Sequence, residues 1–97
     1  MYTTHTSGMK FEWDETKSAE NIRTRGLDFQ DAIPVFFDSD RKIWEDSRKD
    51  YGELRYNMLA ESSGRIFSVT FTIRNGVTRI ISFRKANKRE TRKYGQL

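Results

Sequence analysis

Two runs of alternating apolar and polar residues, 66–73 and 77–83, flank Arg74-Asn75-Gly76. A period of two marks a strand with one buried face, so this stretch is committed to an antiparallel hairpin. In the first run Phe67, Val69, Phe71 and Ile73 share one side and Ser68, Thr70 and Thr72 the other; in the second, Val77, Ile81 and Phe83 point away from Thr78, Ile80 and Ser82. Facing residues of paired strands share a side, and a slip of one residue turns every side chain over. A two-residue turn at Asn75-Gly76 would set Val69 against Ser82. A three-residue loop sets Ile73 against Val77 and Val69 against Ile81. The apolar match therefore predicts the three-residue loop, with Gly76 in the left-handed region.

The same alternation reaches upstream. Residues 54–58 read as a strand and Glu61-Ser62-Ser63-Gly64 as a four-residue loop, which sets Met58 opposite Phe67, Tyr56 opposite Val69 and Leu54 opposite Phe71. Ile43-Trp44-Glu45 reads as one more strand. The predicted core face carries Leu54, Tyr56, Met58, Phe67, Val69, Phe71, Ile81 and Phe83. The predicted outer face carries Glu53, Arg55, Asn57, Ser68, Thr70, Thr72, Thr78, Ser82 and Arg84, while Arg79 has core-face parity near a strand end. Glu53, Arg55, Thr72 and Thr78 gather beside Arg74, and Arg84 lies about 20 Å away at the usual strand rise.

Before residue 41 the period is helical. Lys10-Phe11-Glu12-Trp13 forms a short strand, Asp14 is an N-cap, and a helix over 14–25 stops at Gly26. Asp28 caps a second helix, with Asp31 near its N3 position. Phe29, Ala32, Ile33, Phe36 and Phe37 fall on one helical face. Pro34, inside that pattern, predicts a kink or a short helix. Residues 86–94 close the chain as a helix. The prediction is an α+β domain: two N-terminal helices on one face of an antiparallel four- to five-stranded sheet, then a C-terminal helix. Residues 1–9 show no period and are expected to be a flexible extension, leaving 10–97 as a single domain.

Charge is uneven. Residues 1–50 hold 8 basic and 11 acidic side chains, and residues 51–97 hold 10 and 3, within a formal net charge of +4. A basic second half points to phosphate-bearing partners. There is no cysteine, and the single histidine is His5, so no Cys/His metal cluster and no histidine-pair ribonuclease mechanism is expected. No cofactor is expected either, since neither phosphate-loop nor dinucleotide fingerprint occurs. The start lacks a signal-peptide pattern and no apolar run spans a bilayer, so a cytoplasmic protein without membrane partners is expected. Arg on a rigid strand face grips phosphate oxygens in a planar fork, and a nearby Glu accepts a proton or orients the Arg.

Phe11-Glu12-Trp13-Asp14, Lys17, Asn21, Gly26, Phe29 and Ala32 resemble the opening of the BrnT toxins. Gly52-Glu53-Leu54-Arg55-Tyr56 is similar to that family's G-E-x-R-Y stretch. Arg79-Ile80-Ile81-Ser82-Phe83-Arg84-Lys85-Ala86, with Glu90 and Tyr94, is similar to its ending. The resemblance implies a RelE-like fold, a metal-independent endoribonuclease that inhibits translation and growth, and a cognate ribbon-helix-helix antitoxin of the BrnA type, with operator DNA bound only through that antitoxin. It supports Glu53, Arg55, Arg79 and Arg84 as the positions to test, with Lys17 and Tyr94 beside them. Taken with the basic face, Glu53, Arg55 and Arg84 are the expected catalytic residues, and Arg25, Arg74, Arg79, Lys85 and Lys88 the expected RNA-binding ones. The family pattern has Lys-His before its first Gly, where this chain has Thr24-Arg25; a guanidinium is a poor base, so weakened activity is expected if that His is a base. The other class of function compatible with the residues is a non-catalytic basic module for nucleic acid or an acidic partner.

Overall fold

The computed structural model describes the backbone of residues 2–6 and residues 8–96. Six strands form one sheet in the order β1-β2-β6-β5-β4-β3, with β1 Tyr2–Thr6, β2 Met9–Trp13, β3 Lys42–Glu45, β4 Tyr56–Ser62, β5 Arg65–Arg74 and β6 Val77–Lys85. Helix α1 is Glu15–Arg25 and α2 is Lys88–Tyr94. The α+β class holds, with two differences in the sheet. It gains a strand from the segment expected to be flexible, because Tyr2–Thr6 pairs with β2. Also, β2 runs parallel to β6, while the other pairs are antiparallel. No helix among the described residues is long and apolar enough to cross a membrane.

Helix α1 has the predicted ends. Asp14 accepts hydrogen bonds from the backbone N–H groups of Thr16 and Lys17, and Gly26 adopts φ +71°. The second helix, Phe29–Phe37, is a run of 3-10 turns capped by Asp28. Pro34 has no N–H to give, and in a regular α-helix its ring would meet the carbonyl four residues back at a cost of about 3 kcal/mol. The tighter turn has a period of three. Phe29, Ala32 and Val35 therefore line up inward, flanked by Ile33 and Phe36, and Phe37 swings out to 44% exposure.

Those side chains form the layer that covers the sheet. Phe36 meets Phe11 and Phe71 edge-on at 5.2 and 5.1 Å between ring centroids, and Tyr56 stacks on Phe71 at 5.4 Å. By contrast, α1 buries only Ser18. It is tied down by polar contacts: Asn21 Nδ2 donates to the carbonyls of Leu27 and Phe83 at 3.0 and 2.9 Å.

Both predicted hairpin loops are corrected to two residues. Ser62 pairs with Arg65 and Arg74 with Val77, and the turn residues Ser63, Gly64, Asn75 and Gly76 all have positive φ. Two successive positive φ values make the turn whose twist matches that of the strands. In the first hairpin the register moves by two, so faces are kept: Met58 faces Val69 and Tyr56 faces Phe71. Leu54 falls outside the strand and is 59% exposed. In the second hairpin a bulge between Thr70 and Phe71 resolves the apolar mismatch. Phe71 faces Ile80, Thr70 faces Ser82 and Val69 faces Phe83, which leaves Ile81 as the extra residue. Ile80 is thus the core residue in place of Ile81, Thr78 turns inward, and Arg79, opposite Thr72, turns outward.

Candidate RNA-binding face

The bulge decides what the outer face presents. Beyond it, Ser82 and Arg84 share a side with Thr70 and Ser68 of β5, and Asn57 and Leu59 of β4 complete the rows. Trp44 of β3 lies beside Asn57. Leu59 is fully buried yet lies opposite in parity to Met58 and Ala60 of the main core. Its cover is α2, which packs on β4 and β5.

Strand β2 pairs only with residues 77–80 of β6, so the rest of β6 faces α1 across a groove. Lys17, Asn21 and Arg25 of α1 line that groove opposite Ser82, Phe83 and Arg84. On the outer side of the same strand a polar cleft holds Arg48, Ser68, Thr70, Ser82, Arg84 and Glu90. Arg84 and Ser82 belong to both spaces. Arg25 and Arg84, expected separately from the sequence, lie on one groove.

Helix α2 fixes Arg84. Its Nη1 and Nη2 donate to the two carboxylate oxygens of Glu90 at 2.8 Å each. Glu90 also accepts from the Asn87 N–H at 2.9 Å, and Asn87 Oδ1 accepts from the Glu90 N–H, a reciprocal cap. The Arg84 guanidinium holds the Glu90 carboxyl below its usual range, with the Asn87 N–H adding to the effect. Tyr94 anchors the other end by donating to Asp38 Oδ2 at 2.6 Å, and Lys93 lies 3.8 Å over the Trp44 ring.

About 20 Å along β5, six residues at the strand rise, is a second cluster. Arg74 donates Nε and Nη2 to Glu53 at 2.9 and 3.0 Å, and Arg55 Nε donates to the same carboxylate at 3.2 Å. Arg55 stacks on Tyr51 at 4.1 Å. Arg74 first, then Arg55, holds the Glu53 carboxyl below its usual range. A carboxylate held this way orients guanidiniums and has little drive to take a proton. The three residues expected to be catalytic thus divide, Glu53 and Arg55 at one end of the face and Arg84 at the other.

Residues 13–90 match the family described as the ribonuclease toxin BrnT of type II toxin–antitoxin systems. The chain belongs to this family. No curated protein matches it. Membership in the BrnT family makes the protein a ribonuclease toxin, with RNA as substrate and a cognate antitoxin as partner. The matched span runs from the end of β2 to Glu90, so it contains the groove, the cleft and the Glu53 cluster.

The remaining BrnT candidates scatter. Arg79 donates to Glu12 of β2 at 3.2 Å, with both side chains under one-fifth exposed. Lys85, at the end of β6, and Lys88, at the start of α2, are exposed. Arg48 was not among the candidates. It lies in the loop after β3, where no strand or helix period picks it out.

Proposed function

We propose that the chain is a metal-independent endoribonuclease with Arg84 at the centre of its site. The carrying observation is Arg84 itself, clamped by Glu90 on the strand wall between the α1 groove and the polar cleft. In this reading the RNA 2′-hydroxyl attacks the adjacent phosphorus. Its proton passes to water, the P–O5′ bond breaks, and the departing O5′ takes a proton from water, which leaves a 2′,3′-cyclic phosphate and a 5′-hydroxyl end. Arg84 stabilises the charge that builds on the non-bridging oxygens, and a guanidinium stays charged throughout. Arg25, with Lys17 beside it in the groove, and the exposed Lys85 and Lys88 draw in the backbone. Arg55 and Arg74, oriented by Glu53, hold RNA farther along the sheet; Arg79, paired with Glu12, adds positive field. Cleavage in the cytoplasm inhibits translation and growth. A BrnA-like ribbon-helix-helix antitoxin neutralises the toxin and brings the pair to operator DNA.

Incubating the protein with RNA in EDTA tests this reading. Cyclic-phosphate products are expected from the parent, and Arg84→Ala is expected to cut the rate by about 10²–10³-fold, the usual cost of losing one transition-state donor. Equal rates overturn the site. Salt-sensitive RNA binding by the parent without products identifies the alternative, a non-catalytic basic binding module.

A further inference from the structure

We infer that Arg48 and Arg84 together seat one RNA phosphate in the hydroxyl-lined cleft of the outer face. The inference deepens the ribonuclease reading and rests on it for the identity of the ligand. Arg48 lies in the loop between β3 and β4. Its Nε and Nη2 donate to Asp46 Oδ1 and Oδ2 at 2.9 and 2.8 Å. The Arg48 side chain is 74% exposed and the Asp46 side chain 1%. A buried acid therefore holds an exposed cation in one place. The acid is itself fixed, because the Asp46 N–H donates to the Arg55 carbonyl at 2.7 Å and its Oδ1 accepts the Arg48 N–H at 3.2 Å. Its carboxyl is pulled down to about 2, chiefly by the Arg48 hydrogen bonds, so the clamp stays ionised at any working pH.

Both pairs have the same polarity. In each, the carboxylate is the inner member and the guanidinium the outer one: Arg84 is 37% exposed and Glu90 20%. Asp46 and Glu90 each take two donors from their guanidinium, and a guanidinium has five, so each arginine keeps part of its fork. Arg48 and Arg84 line the same cleft. Two guanidiniums, each fixed by its own carboxylate and each with donors left over, can share one anion there. Ser68, Thr70 and Ser82 line the same space. Their hydroxyls can donate to the remaining phosphate oxygens.

The test uses the full chain and a short, all-2′-O-methyl oligoribonucleotide, which has phosphates but no attacking hydroxyl. Arg48→Gln removes the charge and keeps a donor for Asp46. It is expected to weaken binding alike across base sequences and to reduce the slope of log K against log salt by a part of the roughly 0.7 that one single-strand phosphate contact contributes, since Arg84 still holds the phosphate. Combining it with Arg84→Gln is expected to lose less than the two single losses added, because both grip one phosphate. An unchanged slope in Arg48→Gln, or full additivity in the pair, overturns the seat. If Arg48→Gln lowers the melting temperature into the assay range, Asp46→Asn/Arg48→Gln supplies a neutral pair for the same measurement. Failure of the ribonuclease reading shows separately, as unmodified RNA left intact by the parent in EDTA. The 2′-O-methyl titration decides the seat whether or not cleavage occurs.

Discussion

Arg84 at the end of β6 and Glu90 in the first turns of α2 meet through two parallel hydrogen bonds of 2.8 Å. Glu90 serves the helix and the strand at once, since it also closes the α2 cap on the Asn87 N–H. Glu90→Gln separates these duties. Gln at this position of a capping box still reaches back to the cap, so melting is expected to change little. The charged fork–fork pairing is lost and Arg84 is free to swing. Cleavage is expected to slow by about 10- to 100-fold, the scale of a misplaced reacting group, with the loss in kcat more than in KM. A KM change with kcat intact would show that Glu90 does not position Arg84 for chemistry.

Glu53 is expected to behave as an orienting group. Its folded pKa is depressed, first by Arg74, so no limb of the pH–rate profile near neutrality belongs to it. Glu53→Gln is expected to leave the shape of the kcat profile unchanged and to alter KM by less than about tenfold, in line with lost ground-state positioning. A vanished acidic limb in the variant would make Glu53 a base.

Asp46 gives a pH signature in stability. Its carboxyl falls from 3.8 to about 2 on folding. A depressed folded pKa contributes stability that is fully present above the unfolded value and is lost as pH falls through the folded one. Urea melts of the parent and of Asp46→Asn are therefore expected to differ by a constant amount from neutrality down to about pH 5, and the gap should narrow between about pH 4 and 2. A gap independent of pH over that window would place the effect of the substitution outside the Asp46–Arg48 pair.

Much of this was legible in the residues. The caps Asp14, Gly26 and Asp28 and the period-two runs fix the order of elements, because each is a local signal. The register was not, because it depends on a trade between distant elements. Choosing the Arg74-Asn75-Gly76 loop kept the apolar residues in step without irregularity. The protein keeps the favoured Asn75-Gly76 turn and recovers the step with a bulge at Ile81, which moves Ile80 inward and Arg79 outward. A bulge leaves no composition signature here. Likewise, the period of three over Phe29–Phe37 follows from Pro34, but its consequence for Val35 and Phe37 appears only once the turn type is known. For the candidate site, the outward side of Arg84 was legible from strand parity; Glu53 and Arg55 do gather beside Arg74, but from the segment before β4 and through ion pairs rather than strand parity. Arg48 was not legible, since its role depends on the burial of Asp46 and on a loop returning to the sheet.

Tyr94 offers a probe of α2 that leaves the site chemistry untouched. Its hydroxyl donates to Asp38 Oδ2 at 2.6 Å, and the Asp38 carboxylate, with burial of the ring, raises the phenol pKa. The same carboxylate also accepts from the Glu61 and Asp40 N–H groups at 2.8 and 3.0 Å. Removing the phenol oxygen therefore leaves Asp38 with partners, and the loss is that of one charged hydrogen bond, about 1.5 kcal/mol. The helix loses its far anchor while the Glu90–Arg84 pair stays in place. Tyr94→Phe is expected to lower stability by about that amount. Amide exchange is expected to speed up in the last turn of α2 more than in its first, because opening of a short helix starts at the released end. Cleavage should fall far less than in Glu90→Gln. If Tyr94→Phe slows cleavage as much as Glu90→Gln does, Arg84 is held in place by α2 as a whole, and the Glu90 contact alone does not set the geometry of the site.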